Sequence, residues 1–214
     1  MERSNVAILI PAFNECATIS KVIKEALKYG EVIVVNDCSK DDTSKISLES
    51  GAVVLEHNFQ KGYDQALNTG FNYACKEKYL ALVTLDADGQ HDPKLIPEFI
   101  NGITIGYDLV VGKRCKKARF AENIFSIYTK IFWNISDPLC GLKAYKIKSF
   151  KKLGHFDSYN SIGTELLLFA LKSGFKVFET NISTKPRKGK PRFGSVINSN
   201  YKILRSLGLS FFYN

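Results

Sequence analysis

At 214 residues, with 45% hydrophobic and 24% charged positions, the chain is long enough for one sizeable core and too short for two full domains. A formal net charge of +9 points to an anionic partner: nucleotide phosphates, nucleic acid or an acidic membrane surface. Five scattered cysteines without a CxxC pair argue against a disulfide framework or a thiolate zinc site and for reduced thiols. The first apolar segment is too short for a signal peptide, and no window approaches the ~20 apolar residues of a membrane span.

Val6–Pro11 is an apolar β-rich run cut off by Pro11. Thr18–Leu27 then carries apolar residues at a helical spacing. Glu31–Val35 predicts a second strand ending at Asn36-Asp37-Cys38-Ser39. A helix from Asp41–Thr43 to Ser50 follows, then a short strand over Ala52–Leu55. After the Lys61-Gly62 loop a helix is predicted over Tyr63–Lys76. Leu80–Leu85 is a buried strand that stops abruptly at Asp86-Ala87-Asp88-Gly89-Gln90-His91. A helix from Pro93 to about Asn101 and a strand over Leu109–Gly112 complete the first half. Strands alternating with helices predict right-handed βαβ units around a parallel sheet. In such sheets ligands bind beyond the carboxyl ends of the strands, so the clusters after Ile10, Val35 and Leu85 should converge on one crevice. Neither GxGxxG nor GxxxxGK[ST] occurs, which removes the glycines that a dinucleotide fold or a P-loop uses to cradle phosphate.

The second half differs in character. Lys113–Arg119 holds five basic residues in seven, followed by a helix-like aromatic stretch, Phe120–Trp133. Asp137–Gly141 reads as a loop, Leu142–Ile147 as a strand, Leu166–Lys172 as an apolar helix and Lys176–Ile182 as the last strand. A second basic loop spans Lys185–Arg192. Residues 1–194 are expected to form one domain, with its nucleotide half near 1–112 and its acceptor half near 113–194. The tail, 195–214, reads as amphipathic and suited to a membrane interface.

Asp86 and Asp88, one residue apart at the end of a buried strand, need cationic compensation. A hard divalent ion shared with phosphates is the usual form of it. The segments PAFNE (11–15), NDCSKDDT (36–43), Lys61-Gly62, DADGQH (86–91), DPLCGLKAY (137–145) and GTE (163–165) occur in order. Together they resemble a family 2 glycosyltransferase of the GT-A fold, and within it the dolichyl- or polyprenyl-phosphate sugar synthases. That resemblance implies a single-domain α/β fold with a Rossmann-like, mostly parallel sheet flanked by helices. It also implies a nucleotide-sugar donor (UDP- or GDP-), Mg²⁺ or Mn²⁺, and inversion at the anomeric carbon. By similarity Pro11, Asn14, Glu15, Asp37, Lys61 and Asp86 belong to the donor nucleotide site, with Asp37 at the base. Asp86, Asp88 and Gln90 would hold the metal, and Arg114, Arg119, Arg187 and Arg192 fall in the regions that bind the acceptor phosphate. Asn36, Cys38 and Leu139-Cys140 depart from the family's usual Asp, Gly and Thr-Ser.

Two loops hold ten of the 30 basic residues, which suits a phosphate acceptor better than a neutral sugar. A hydroxyl acceptor would need a base, and Glu165 is the candidate. It reads equally as an acceptor-positioning group or as a helix-start carboxylate. The three histidines are given no catalytic role. Rival readings are transfer to a sugar hydroxyl in cell-surface glycan assembly, a nucleotidyltransferase and, last, a nucleic-acid binder. The expected partners are the donor and a lipid-phosphate or glycan acceptor, with peripheral contact to the inner face of a membrane, room for a separate membrane subunit, and no nucleic acid.

Overall fold

The computed structural model describes residues 5–117, 119–185 and 196–212. Seven strands form one sheet in the order β3-β2-β1-β4-β6-β5-β7. They are β1 (Val6–Ala12), β2 (Glu31–Asn36), β3 (Val53–Glu56), β4 (Ala81–Thr84), β5 (Leu109–Arg114), β6 (Lys143–Lys146) and β7 (Val177–Ile182). Every neighbouring pair is parallel except those of β6, which runs antiparallel between β4 and β5.

The period-2 alternation of the strands builds two cores. Leu9 of β1, Ile33 and Val35 of β2 and Val111 of β5 face one side. There they meet Leu67 and Phe71 of α3 (Tyr63–Lys76), Phe125 of α5 (Phe120–Trp133), Phe150 of α6 (Ile147–Leu153) and Leu167 of α7 (Glu165–Lys172). Ile8, Ile10, Val34 and Val110 face the other. Their partners are Ile19 and Ile23 of α1 (Ile19–Ala26) and Phe99 and Ile103 of α4 (Ile96–Thr104). The short α2 (Thr43–Glu49) joins β2 to β3. Because the central strands are covered on both faces, they read as continuous apolar runs.

Most elements fall where the residue pattern puts them, with α3 and α5 coinciding end to end. Three details differ. The helix after Asp92 begins as a 3₁₀ turn, Pro93–Leu95, because the Asp92 side chain caps Lys94 N and Pro97 then opens α4. The strand expected over Leu142–Ile147 ends at Lys146, and Ile147 starts α6, a helix not anticipated from the sequence. The tail is joined to the domain: α8 (Val196–Leu209) lies beside α5, the Asn200 side chain accepts from Ala121 N at 3.0 Å, and Lys172 donates to Ser210 O.

Candidate active site

A cleft of about 770 Å³ opens at the carboxyl ends of β1, β2 and β4. Pro11, Glu15, Asp37, Asp86, Asp88 and Gln90 line it from the parallel half of the sheet. Parallel strands end together, so each turn delivers its polar residues to the same edge. The antiparallel β6 serves the same edge by its start: Lys143 pairs with Thr84, so the loop 137–141 enters the cleft beside Asp86. Gly141 is required there. A Cβ on it would lie 2.1 Å from Asp86 Oδ2.

On the donor side, Asp37 is only 4% exposed and anchors the loop opposite. Its Oδ1 accepts from Lys61 N at 2.8 Å and faces His57 Nδ1 at 2.7 Å, while Oδ2 accepts from Gly62 N at 2.8 Å. Lys61 therefore contributes its backbone amide, and its side chain is exposed with Nζ 5.4 Å from the centre of the Phe59 ring. Asn14 is exposed in a left-handed conformation and does not line the cleft. It ties the first loop to the second through Ser39 Oγ and Lys40 N. Glu15 is buried, its amide held by Thr43 Oγ1 at 2.7 Å.

At the centre, burial works against the ionised Asp86. His91 (Nε2 at 3.6 Å from Oδ2) and the charges of Arg114 and Lys143 nevertheless hold its carboxyl below the usual range. Asp88 is 6% exposed and accepts from Gln90 N at 3.0 Å, which shapes the turn. Gln90 O accepts from Lys185 N, fastening this turn to the segment after β7. His91 also lines the cleft, and its Nδ1 is buried without a partner among the described residues.

Among the described residues, no three carboxylate, imidazole or thiolate groups close around one point. Asp86, Asp88 and Gln90 nevertheless all line the one cleft. That oxygen donor set fits a hard divalent ion whose shell is completed by diphosphate and water, the usual mode for Mg²⁺.

The basic side of the cleft is more balanced in charge than its sequence suggests. Arg114 Nε and Nη2 make a two-pronged pair with Asp137, at 2.7 and 2.8 Å, and Asp137 is 1% exposed. Glu122, also buried, accepts from Arg114 at 3.1 Å and from Arg119 at 2.9 Å. Burial disfavours the Arg114 cation, but Asp137 more than offsets it and raises the pKa. Lys116, Lys143 and Lys202 add positive charge to the same walls. Burial pushes Lys143 down to about 8, against the pull of Asp137 and Asp86.

Arg187 and Arg192 lie outside the described residues. Glu165 does not line the cleft. It is 1% exposed, and its oxygens accept from Ser158 N at 2.5 Å and Ser158 Oγ at 2.8 Å and face His155 Nε2 at 2.8 Å. Its geometry is that of an anchor for the 155–158 segment, which is where the base expected from the sequence sits. Sequence reasoning gave no role to His91, Lys143, Glu122 or Asp137. His91 lies in the 86–91 motif and Asp137 and Lys143 in the 137–145 motif, whereas Glu122 lies in none.

Comparison with known proteins adds the family. Residues 7–154 match the model for glycosyl transferase family 2. A UDP-N-acetylglucosamine–dolichyl-phosphate N-acetylglucosaminyltransferase from Methanococcus voltae is 27% identical over 94% of this chain and 94% of its own length. A dolichol-phosphate mannosyltransferase from Pyrococcus furiosus is 28% identical over 79% of this chain, which spans 53% of that longer protein. Among solved structures, glucosyl-3-phosphoglycerate synthase from Mycobacterium tuberculosis, bound to Mn²⁺, UDP and its product, superposes with a TM-score of 0.80 at 19% identity. That match covers 99% of this chain and 81% of the other. The architecture is the GT-A fold.

Proposed function

The chain belongs to glycosyl transferase family 2, and on that premise we propose that it moves a sugar from a nucleoside diphosphate donor to a polyprenyl phosphate. The observation that carries this reading is the make-up of one cleft. Strand-end carboxylates line it together with the cations Arg114, Lys116, Arg119, Lys143 and Lys202. Both named relatives act on dolichyl phosphates, which agrees with it.

In this scheme Pro11, Glu15 and the Asp37-anchored loop hold the nucleoside, and Asp86, Asp88 and Gln90 would hold Mg²⁺ or Mn²⁺. The ion, when bound, supplies Lewis-acid stabilisation of the leaving diphosphate. Lys116, Lys143 and Lys202 preorganise positive charge where negative charge gathers, since Arg114 and Arg119 are balanced by Asp137 and Glu122. An acceptor phosphate oxygen forms the new bond to the anomeric carbon as the bond to the donor diphosphate breaks, inverting that carbon. A phosphate monoester, with a second pKa near ~6, is already ionised and needs no base. The acidic group lining the acceptor half among the described residues is Glu122, which is paired with two arginines, so the cleft suits a phosphate better than a hydroxyl.

The test is incubation with Mn²⁺, UDP- and GDP-sugars and a short-chain polyprenyl phosphate. Labelled sugar should pass to the organic phase, and Asp88→Ala should lower the rate by about 10²-fold or more. Nucleoside diphosphate release without a lipid product would move the acceptor to a hydroxyl.

A further inference from the structure

Helices α5 and α8 are amphipathic in an unusual sense. On α8 the residues turned inward are Ser199, Ile203 and Ser206, at a helical i, i+4, i+7 spacing, and Ser210 just beyond the helix is buried too. Ile197, Tyr201 and Leu204 face solvent, as does Phe211 after the helix, with Ile197 83% exposed. Helix α5 buries Ala121 and Phe125 together with the polar Glu122, Ser126 and Thr129, whereas Phe120, Ile127, Ile131 and Phe132 are exposed. A chain folded only for its own interior does not leave so many large apolar groups of two neighbouring helices exposed while burying polar ones.

The two sets of exposed groups meet at the C-terminal ends of the helices, where the Tyr128 ring stands 5.0 Å from Phe211 and 5.1 Å from Phe132, and Phe212, next in the chain, is 86% exposed. An apolar face of this kind marks an interaction site. Its surroundings are basic: Lys130, Lys202 and Arg205 are exposed, α8 contains no Asp or Glu, and Glu122 of α5 is buried against arginines. The face adjoins the cleft, which the exposed Lys202 of α8 and Arg119, the residue before α5, help to line.

We infer that the α5–α8 face docks on a membrane surface bearing anionic headgroups, with the cleft mouth at the headgroup level. This rests on the lipid-phosphate reading above and adds the surface that presents such an acceptor. Apolar and aromatic side chains reach the acyl boundary while lysines and arginines meet headgroup phosphates. A second copy is the poorer occupant, because a self-complementary contact would set the basic rim of one chain against the same rim of the other. No helix among the described residues is long and apolar enough to cross a membrane, so a surface contact is the mode this part of the chain offers.

The test is flotation of the full chain with vesicles of phosphatidylcholine alone or mixed with phosphatidylglycerol. The chain should float with the mixed vesicles and be released by salt. Ile131→Ser, Ile197→Ser and Phe212→Ser combined should lower the bound fraction at least about tenfold, with the melting temperature and transfer to a water-soluble short-chain acceptor unchanged. Flotation without any transfer activity would uphold the docking face and overturn the acceptor reading. A wild-type chain left in the soluble fraction, or a triple variant that floats like wild type, overturns the inference. So does concentration-dependent dimerisation abolished by the same three substitutions.

Discussion

Lys143, the first residue of β6, donates its Nζ to the carbonyl of Gly163 at 2.8 Å, and Asp64 accepts from the amide of the same glycine at 2.6 Å. One residue is thus held by both its amide and its carbonyl. Through it the turn before α7 is tied to the start of α3 and to the lysine beside Asp86. Lys143→Met removes both a donor to a buried carbonyl and a charge that keeps Asp86 ionised. Unfolding should become easier by about 1–3 kcal/mol, read by denaturant titration. Donor turnover should fall by more than that loss of folded protein explains. A variant as stable and active as wild type would dissociate this lysine from the site.

Asp64 gives the fold a pH dependence of definite sign. Burial and the charge of Asp157 push its carboxyl up to about 7, although the Gly163 and Ile162 amides and Lys143 pull the other way. An unfolded aspartate titrates near ~3.9, so between about pH 4 and pH 7 the folded chain keeps a proton that the unfolded chain releases. The contribution of this group to stability is therefore full at low pH, declines as pH rises through that window and levels off above it. Asp64→Asn should flatten that segment of the melting temperature curve. An unchanged slope would show that another group sets it.

Glu165 tests the acceptor class. Removing a general base slows a reaction by about 10²–10⁴-fold. The Glu165 carboxylate is bonded to the 155–158 segment and does not line the cleft. Glu165→Gln should therefore lower the melting temperature and leave the rate per folded molecule within about an order of magnitude of wild type. A base-sized loss at unchanged stability would point to a hydroxyl acceptor.

Two cations of the acceptor wall should behave differently. Arg114→Met leaves Asp137, which is 1% exposed, as an uncompensated buried charge, so it should destabilise by about 3–5 kcal/mol. Lys202 is exposed at the cleft edge, so Lys202→Ala should leave stability within about 0.5 kcal/mol of wild type. Its effect should appear as a raised KM for the lipid phosphate. Equal behaviour of the two variants would remove the distinction between framework and contact cations.

The convergence of Pro11, Asp37 and Asp86 on one cleft was legible in the sequence, because parallel strands end at one edge and an abrupt stop such as Leu85-Asp86 places its carboxylate there. Antiparallel β6 was not legible: no local pattern distinguishes its direction, and Lys146-Ile147 passes from strand to helix without glycine or proline. The basic loop 113–119 was visible, but not the Asp137 and Glu122 carboxylates that balance it, since they sit 23 and 8 residues from Arg114. The reading of Glu165 stayed open between a base, a positioning group and a helix-start carboxylate, because a short motif before an apolar helix gives no sign of whether its carboxylate faces the cleft or the chain. The outward-facing apolar stripes of α5 and α8 also depend on which face the fold buries, which spacing alone leaves open.

The most direct measurement of the central claim compares a short-chain polyprenyl phosphate with the corresponding alcohol as acceptor, under the same Mn²⁺ and donor concentrations. Sugar on the phosphate and none on the alcohol, lost in Asp88→Ala, is the expected result. Transfer to the alcohol at an equal rate, or to neither while a glycan hydroxyl is glycosylated, would contradict it.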